Sequence, residues 1–321
     1  MRPLDLAGPP DRSGHDWPGA PRHVIRTSRP GHPDPRPSGG MTVVDRDHLP
    51  RAKIQMPVPA PADPGLLSRA LDVAGRLAND AAEVIAATSG RSAGGVPPGA
   101  TGKANPFDWV TDTDRTLERH TRRVLAAEFP GVPVVGEEYG ADAGAEHAPL
   151  RWVVDPVDGT ANYVAGFPWC AYSLALVDAD GPVVGVVADP SRAHLYAAAR
   201  GRGVRANGTV VRVADRDDAA GGLVCAEPAT EPLLRAARAG HAGVRVLGSS
   251  ALAITQVATG RAVAAVLEGY QVWDVAGALA LALGAGAVVL DRSGRPDPMP
   301  TGAMLVAAPG VADQVMSWWT G

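Results

Sequence analysis

Carboxylates stationed where apolar runs end are the first residues of this sequence that could do chemistry. Val134, Val135 and Gly136 lead into Glu137 and Glu138, and Trp152, Val153 and Val154 lead into Asp155, with Asp158 three residues later. Each run reads as a strand, so the acids fall at strand ends. Ionised carboxylates gathered there repel one another unless a cation lies between them. A hard divalent ion such as Mg²⁺ takes such oxygen ligands. Glu138 is read as a neighbouring acid outside the ligand set.

The segment DPVDGT, Asp155 to Thr160, adds a second property. Pro156 stiffens the turn, Gly159 lets a ligand approach the backbone, and the amides of Gly159 and Thr160 open the next helix, a start that suits phosphate. Metal ligands beside a phosphate cradle point to phosphoryl chemistry. A distant carboxylate, Asp274, follows Trp273 and opens a helix of small residues. On position alone it is a helix cap, contributing about 0.3 to 1 kcal/mol. Thr111 and Asp114 have capping-box spacing, which makes a structural helix N-terminus the positional reading of Asp114. The eight histidines form no HxxxH or HExxH array, and Cys170 and Cys225 form no CxxC pair. Zinc chemistry and a disulfide framework are therefore not indicated, and a reducing cytoplasm is the default.

Positioning these groups takes a layered body. Asp63 and Pro64 read as N-cap and first-turn proline of an amphipathic helix through Leu67, Leu71, Ala74, Ala78, Ala81 and Ile85, and a second helix is expected from about Thr113 to Glu128. Short β-branched runs follow at 132–135, 152–154, 171–177 and 183–187, and further ones at 210–213, 223–226, 263–267, 287–290 and 304–307. The later runs alternate with Ala-rich helical stretches at about 230–239, 249–259 and 274–283. The pattern predicts one domain over 61–321, with an α+β half to about 205 and an α/β half from about 206, sheets lying between helices. Residues 1–60 hold 12 of the 30 prolines and half of the eight histidines without apolar periodicity, and read as a disordered Pro/Arg-rich tail. Nine of the 30 basic and six of the 34 acidic residues lie in that tail, leaving 21 against 28, a net charge of about −7. Such a body does not suit general nucleic-acid binding. No apolar run reaches the roughly 18 residues of a membrane span.

Three strings resemble the signatures of the inositol monophosphatase family and occur in its order: GEEYG (136–140), WVVDPVDGTANYVAGFP (152–168) and WDVAG (273–277). Similarity extends to KANPFDWVTDTD (103–114) and GRGVRANG (201–208). The resemblance implies that Glu137, Asp155 and the Val157 carbonyl hold one Mg²⁺, that Asp155, Asp158 and Asp274 hold a second, and that Glu137 contributes to a third through water. It implies that Asp114 and Thr160 orient or deprotonate the attacking water, which displaces the phosphoryl group in line without a covalent enzyme intermediate. A homodimer and lithium sensitivity are implied in the same way.

Asn162 and Tyr163 resemble the inositol and sugar phosphatase branch, which favours a small phosphorylated polyol, inositol 1-phosphate first. Glu268 resembles the acid that contacts inositol hydroxyls, and Gly248, Ser249, Ser250 and Ala251 resemble the opposite wall of the substrate pocket. Lys103 is placed near the site by the matched loop. The stretch from Glu268 to Asp274 is one residue shorter than the family pattern, which leaves histidinol phosphate and fructose 1,6-bisphosphate open as substrates. A reading of another class is a catalytically weak member that binds a phosphorylated ligand or a protein partner.

Overall fold

The computed structural model describes residues 54–90, 101–102 and 109–321. Numbered in chain order, the helices are α1 (Pro64–Thr88), α2 (Asp112–Glu128), α3 (Thr160–Ala165), α4 (Glu231–Ala239), α5 (Ser250–Ala258), α6 (Val272–Gly284) and α7 (Ala312–Thr320). A two-stranded ribbon joins β1 (Thr101–Gly102) to β2 (Trp109–Val110). The larger sheet comprises β3 (Val134–Gly136), β4 (Gly140–Ala141), β5 (Arg151–Asp158), β6 (Ala171–Asp178), β7 (Gly181–Asp189), β8 (His194–Ala199), β9 (Gly203–Ala206) and β10 (Thr209–Val211). Its order is β10-β9-β8-β7-β6-β5-β3-β4, antiparallel except for the β3–β5 pair. The smaller sheet comprises β11 (Leu223–Glu227), β12 (Gly243–Arg245), β13 (Ala264–Glu268), β14 (Val288–Asp291) and β15 (Ala303–Ala307), in the order β12-β11-β13-β15-β14.

Helix α1 starts as its sequence predicts: Asp63 Oδ1 accepts the Leu66 N–H at 2.7 Å, and Leu67, Ala70, Val73, Ala74, Leu77, Ala81 and Ile85 form its buried stripe. With α2 it covers one face of the larger sheet, burying Trp152, Val154, Leu174 and Leu176. Helices α5 and α6 are apolar on nearly every side because they lie between the two sheets. Helices α4 and α7 close the outer face of the smaller sheet. The result is five layers, helix–sheet–helix–sheet–helix, in accord with the expected layering.

Strand alternation aims the site. On β5, Trp152 and Val154 turn toward α1 and α2, while Val153 packs against Ala276 of α6. Asp155 shares the face of Val153. The β5–β6 register then shifts between Asp155 and Asp158, a local irregularity that re-aims the chain into the turn. Helix α6 seats closely because its contact residues are small. A Cβ on Gly277 would stand 2.5 Å from Ser173 Oγ and 3.0 Å from the Val186 carbonyl oxygen, and one on Gly185 would stand 2.4 Å from the Gly277 carbonyl oxygen.

The predicted disordered tail falls on residues 1–53, outside the described residues, except at its end. Residues 54–60 are extended and anchored to the body. Ile54 and Met56 pack against the core around the smaller sheet, the Val289 N–H donates to Met56 Sδ at 3.2 Å, and the Ala60 N–H donates to Asp180 at 3.1 Å. The strap borders a cavity of about 390 Å³ that Pro182, Arg200, Leu283 and Val288 also line. Alternate apolar residues in a proline-spaced segment were enough to dock it, although seven residues carry no readable period.

Candidate active site

The turn between β5 and α3 is built from buried acids. Asp155 is 2% exposed and Asp158 6%. Asp155 Oδ1 accepts the Val157 N–H at 3.0 Å. Asp158 is held by the start of α5: Ser249 Oγ donates to its Oδ2, as does the Ala251 N–H at 3.0 Å, and the Ser250 N–H reaches Oδ1 at 3.2 Å. Gly159 (φ +83°) must be glycine, since a Cβ there would lie 2.7 Å from the Trp169 carbonyl oxygen and 2.8 Å from that of Gly248. Asn162 fastens the same junction, its Nδ2 reaching the carbonyl oxygens of Trp169 (2.8 Å) and Leu247 (2.7 Å).

Two further acids arrive from other elements. Asp274, in the first turn of α6, accepts the Gln271 N–H at 2.7 Å, so it does cap its helix. Its charge also acts on both Asp155 and Asp158. Glu137 leaves the end of β3 and hydrogen-bonds to Asp155. The loop carrying it is pinned from beneath by Glu118 of α2, a fully buried carboxylate that accepts the N–H groups of Glu138 (2.7 Å) and Tyr139 (3.2 Å) and pairs with Arg122 at 2.8 Å. A Cβ on Gly136 would collide with that carboxylate, which accounts for the glycine of GEEYG.

Asp114 caps its helix with one carboxylate oxygen and faces Thr160 with the other. Its Oδ2 accepts the Thr111 N–H at 2.9 Å and the Thr111 hydroxyl, completing the capping box of α2. Its Oδ1 lies 3.4 Å from Thr160 Oγ1, which also lies 2.9 Å from the Val157 carbonyl oxygen. The single Thr160 hydroxyl proton therefore has two acceptors, one of them the acid. Burial raises the Asp114 pKa to about 6, against the lowering hydrogen bonds from Thr111 and with a smaller contribution from Glu137.

Electrostatics shows what the cluster accepts. Burial, and then the charges of Glu137, Asp158 and Asp274, raise the Asp155 carboxyl well above the usual range. Burial and the Asp274 charge do the same to Asp158. Among the described residues no three His, Cys, Asp or Glu side chains stand in a ready-made ligand arrangement. The reason is visible in the hydrogen bonds: each Asp carboxylate is turned onto a protein donor, Val157 for Asp155, the α5 start for Asp158 and Gln271 for Asp274. An all-oxygen set of mutually repelling acids nevertheless fits a hard divalent cation.

The expected substrate contacts fare differently. Ser249, Ser250 and Ala251 are brought to the site, but as donors to Asp158. Glu268 is not brought to the acids. Alternation along β13 places it with Ala264 and Val266 on the side covered by α7, where it pairs with Arg292 and accepts the Trp319 Nε1–H at 2.6 Å. The shortened connection to Asp274 is consistent with this turn away from the site. Lys103 lies outside the described residues. Sequence reasoning missed Glu118 and Glu227. Glu118 carries a weak signal, an acid four residues before Arg122 on a helix, and Glu227 carries only its place at the end of an apolar run.

Acids from two strands of the larger sheet and from helix α6 meet beside a glycine turn on this layered scaffold, and its relatives mark the chain as a phosphoric monoester hydrolase. A model of the inositol monophosphatase family matches residues 66–317, and the chain belongs to that family. It is 36% identical over 280 residues to the inositol-1-monophosphatase SuhB of Mycobacterium tuberculosis, covering 78% of this chain and 93% of that one. It is 35% identical over 205 residues to the Nus factor SuhB of Xylella fastidiosa, covering 60% and 72%. An inositol monophosphatase structure from Anabaena (Nostoc) superposes with a TM-score of 0.67 at 26% identity, covering 79% of this chain and 96% of its own.

Proposed function

We propose that this chain hydrolyses a small phosphate monoester with the help of Mg²⁺, inositol 1-phosphate being the first candidate. The observation that carries the reading is the gathering of Asp155, Asp158, Glu137 and Asp274 at one turn, beside the Asp114–Thr160 pair. Glu137, Asp155 and the Val157 carbonyl would hold one ion; Asp155, Asp158 and Asp274 would hold a second, with Glu137 contributing to a third. Bound there, Mg²⁺ supplies Lewis acidity toward the phosphoryl oxygens and lowers the pKa of water.

The chain's own residues do the rest. Thr160 Oγ1 takes a proton from the attacking water as it gives its own to the ionised Asp114 Oδ1, a carboxyl that burial raises to about 6. The amides of Gly159 and Thr160 receive the phosphate, and Asn162 keeps that turn pressed against the Leu247 loop. Inositol 1-phosphate leads because the Mycobacterium relative bears the name inositol-1-monophosphatase and covers most of this chain. With Glu268 committed to Arg292 and Trp319, histidinol phosphate and fructose 1,6-bisphosphate remain alternatives. Lithium sensitivity, a homodimer and a cytoplasmic setting complete the reading; the two buried free cysteines suit the last.

The test is phosphate release by purified protein, with and without Mg²⁺, across those three esters. Mg²⁺-dependent turnover abolished by Asp155→Asn is expected. No turnover of any of them would leave the phospho-ligand-binding alternative in its place.

A further inference from the structure

We infer that Glu227 is a positioning residue for Asp158, acting from the second half of the fold through the loop Leu247–Ala251. The inference rests on the Mg²⁺-dependent reading above.

Glu227 ends β11, and its Oε1 accepts the N–H groups of Gly248 (2.8 Å) and Leu247 (3.2 Å). Asn162, from the first half, takes the carbonyl of Leu247. The two side chains thus grip opposite edges of one residue. Immediately beyond it Gly248 (φ +68°) turns the chain so tightly that a Cβ would lie 2.8 Å from Asn162 Nδ2. Ser249 then caps α5, its Oγ accepting the Leu252 N–H at 3.2 Å while donating to Asp158.

All three donors to Asp158, Ser249 Oγ and the N–H groups of Ser250 and Ala251, follow within four residues of the amides that Glu227 holds. Losing the Glu227 carboxylate leaves the amides of Leu247 and Gly248 without this acceptor at a site where Leu247 is 7% exposed. The loop relaxes toward water, and the donors that fix the Asp158 carboxylate move with it. Outer partners of metal ligands act in this way, and their removal typically costs about 10- to 100-fold in metal affinity. Burial raises the Glu227 pKa while the loop amides lower it, as expected for a carboxylate enclosed by its own donors.

The experiment is calorimetric titration of the full-length protein with Mg²⁺, alongside thermal melting without metal. Glu227→Ala is expected to weaken Mg²⁺ binding about tenfold or more. Glu227→Gln, whose amide oxygen can still accept, is expected to fall between Ala and wild type. Asp178→Asn breaks the pair with Arg200 away from the acids and serves as the structural control, lowering the melting temperature and leaving Mg²⁺ affinity unchanged. If Glu227→Ala does not fold, Glu227→Gln decides. Mg²⁺ affinity within twofold of wild type in the folded variant, whatever its melting temperature, overturns the inference alone. Absence of Mg²⁺ binding by the wild-type protein overturns it together with the proposed function.

Discussion

Gly277→Ala concentrates the geometry of the site into one methyl group. The added Cβ would meet Ser173 Oγ at 2.5 Å and the Val186 carbonyl oxygen at 3.0 Å, so α6 must retreat from β6 and β7 by about 1 Å to restore ordinary contact. Overpacking of this kind costs about 1 to 3 kcal/mol. For a body of this size that is a fall in melting temperature of about 2 to 12 °C. Asp274 stands one turn before Gly277 on the same helix and moves with it, and a misplacement near 1 Å can cost about 100-fold in rate. The assay is phosphate release at saturating Mg²⁺ together with thermal melting. Ser173 provides the internal check. Its buried hydroxyl has no hydrogen-bond partner among the described residues, so Ser173→Ala alone should be neutral or stabilising by up to about 1 kcal/mol. Added to Gly277→Ala it should recover part of the lost stability, a coupling of about 0.5 kcal/mol or more. A Gly277→Ala protein with wild-type melting and turnover would refute the close seating of α6 as the device that delivers Asp274.

Three further outcomes are expected. Glu268→Ala should lower the melting temperature by unseating Trp319 and Arg292 while leaving KM for inositol 1-phosphate within about twofold, since the carboxylate serves α7; a large rise in KM with stability unchanged would restore it to the substrate wall. Metal-free protein should lose stability as pH rises from about 4 through 6, because the fold raises Asp114 from 3.8 to about 6 and raises Asp155 and Asp158 in the same direction, so the protonated forms are the stabilised ones. Mg²⁺ should offset that loss at pH 7.5 and do little at pH 5, which melting curves with metal and with chelator would show. Removing residues 1–53 should leave melting and activity unchanged, whereas removing 1–60 should lower the melting temperature by withdrawing Ile54 and Met56 from the core.

Glu137 and Asp155 stood out in the sequence because each follows an apolar run, Asp158 because it lies three residues further on, and Asp274, which opens a helix, through the matched string WDVAG. Asp114 was ambiguous in sequence because capping and proton transfer ask for the same residue type; one of its oxygens caps α2 and the other lies 3.4 Å from Thr160 Oγ1. The pairing of Glu268 with Arg292 and Trp319 was not legible because strand parity decides which face a residue takes, and parity near a shortened connection cannot be read from spacing. Glu118 and Glu227 escaped notice since their partners are backbone amides from distant segments, 20 residues or more away, and an amide carries no sequence signature. The short strands β8, β9 and β12 and helix α7 were likewise missed, each held by its sheet or core neighbours more than by its own pattern.

Helix α6 lies between the sheets with Asp274 at its tip, and α5 beside it holds Asp158, so neither half of the chain contains the acid cluster by itself. Separating β5 from α5 and α6 means opening the central layer, which is the largest cooperative opening available to this body and not the fraying of a surface loop. An ion seated among these acids would therefore tie the two halves of the chain to each other. Its occupancy would add RT ln(1 + [Mg²⁺]/Kd) to the stability of every layer at once, and slow amide exchange in strands as remote as β8 would report the filling of a site they never touch.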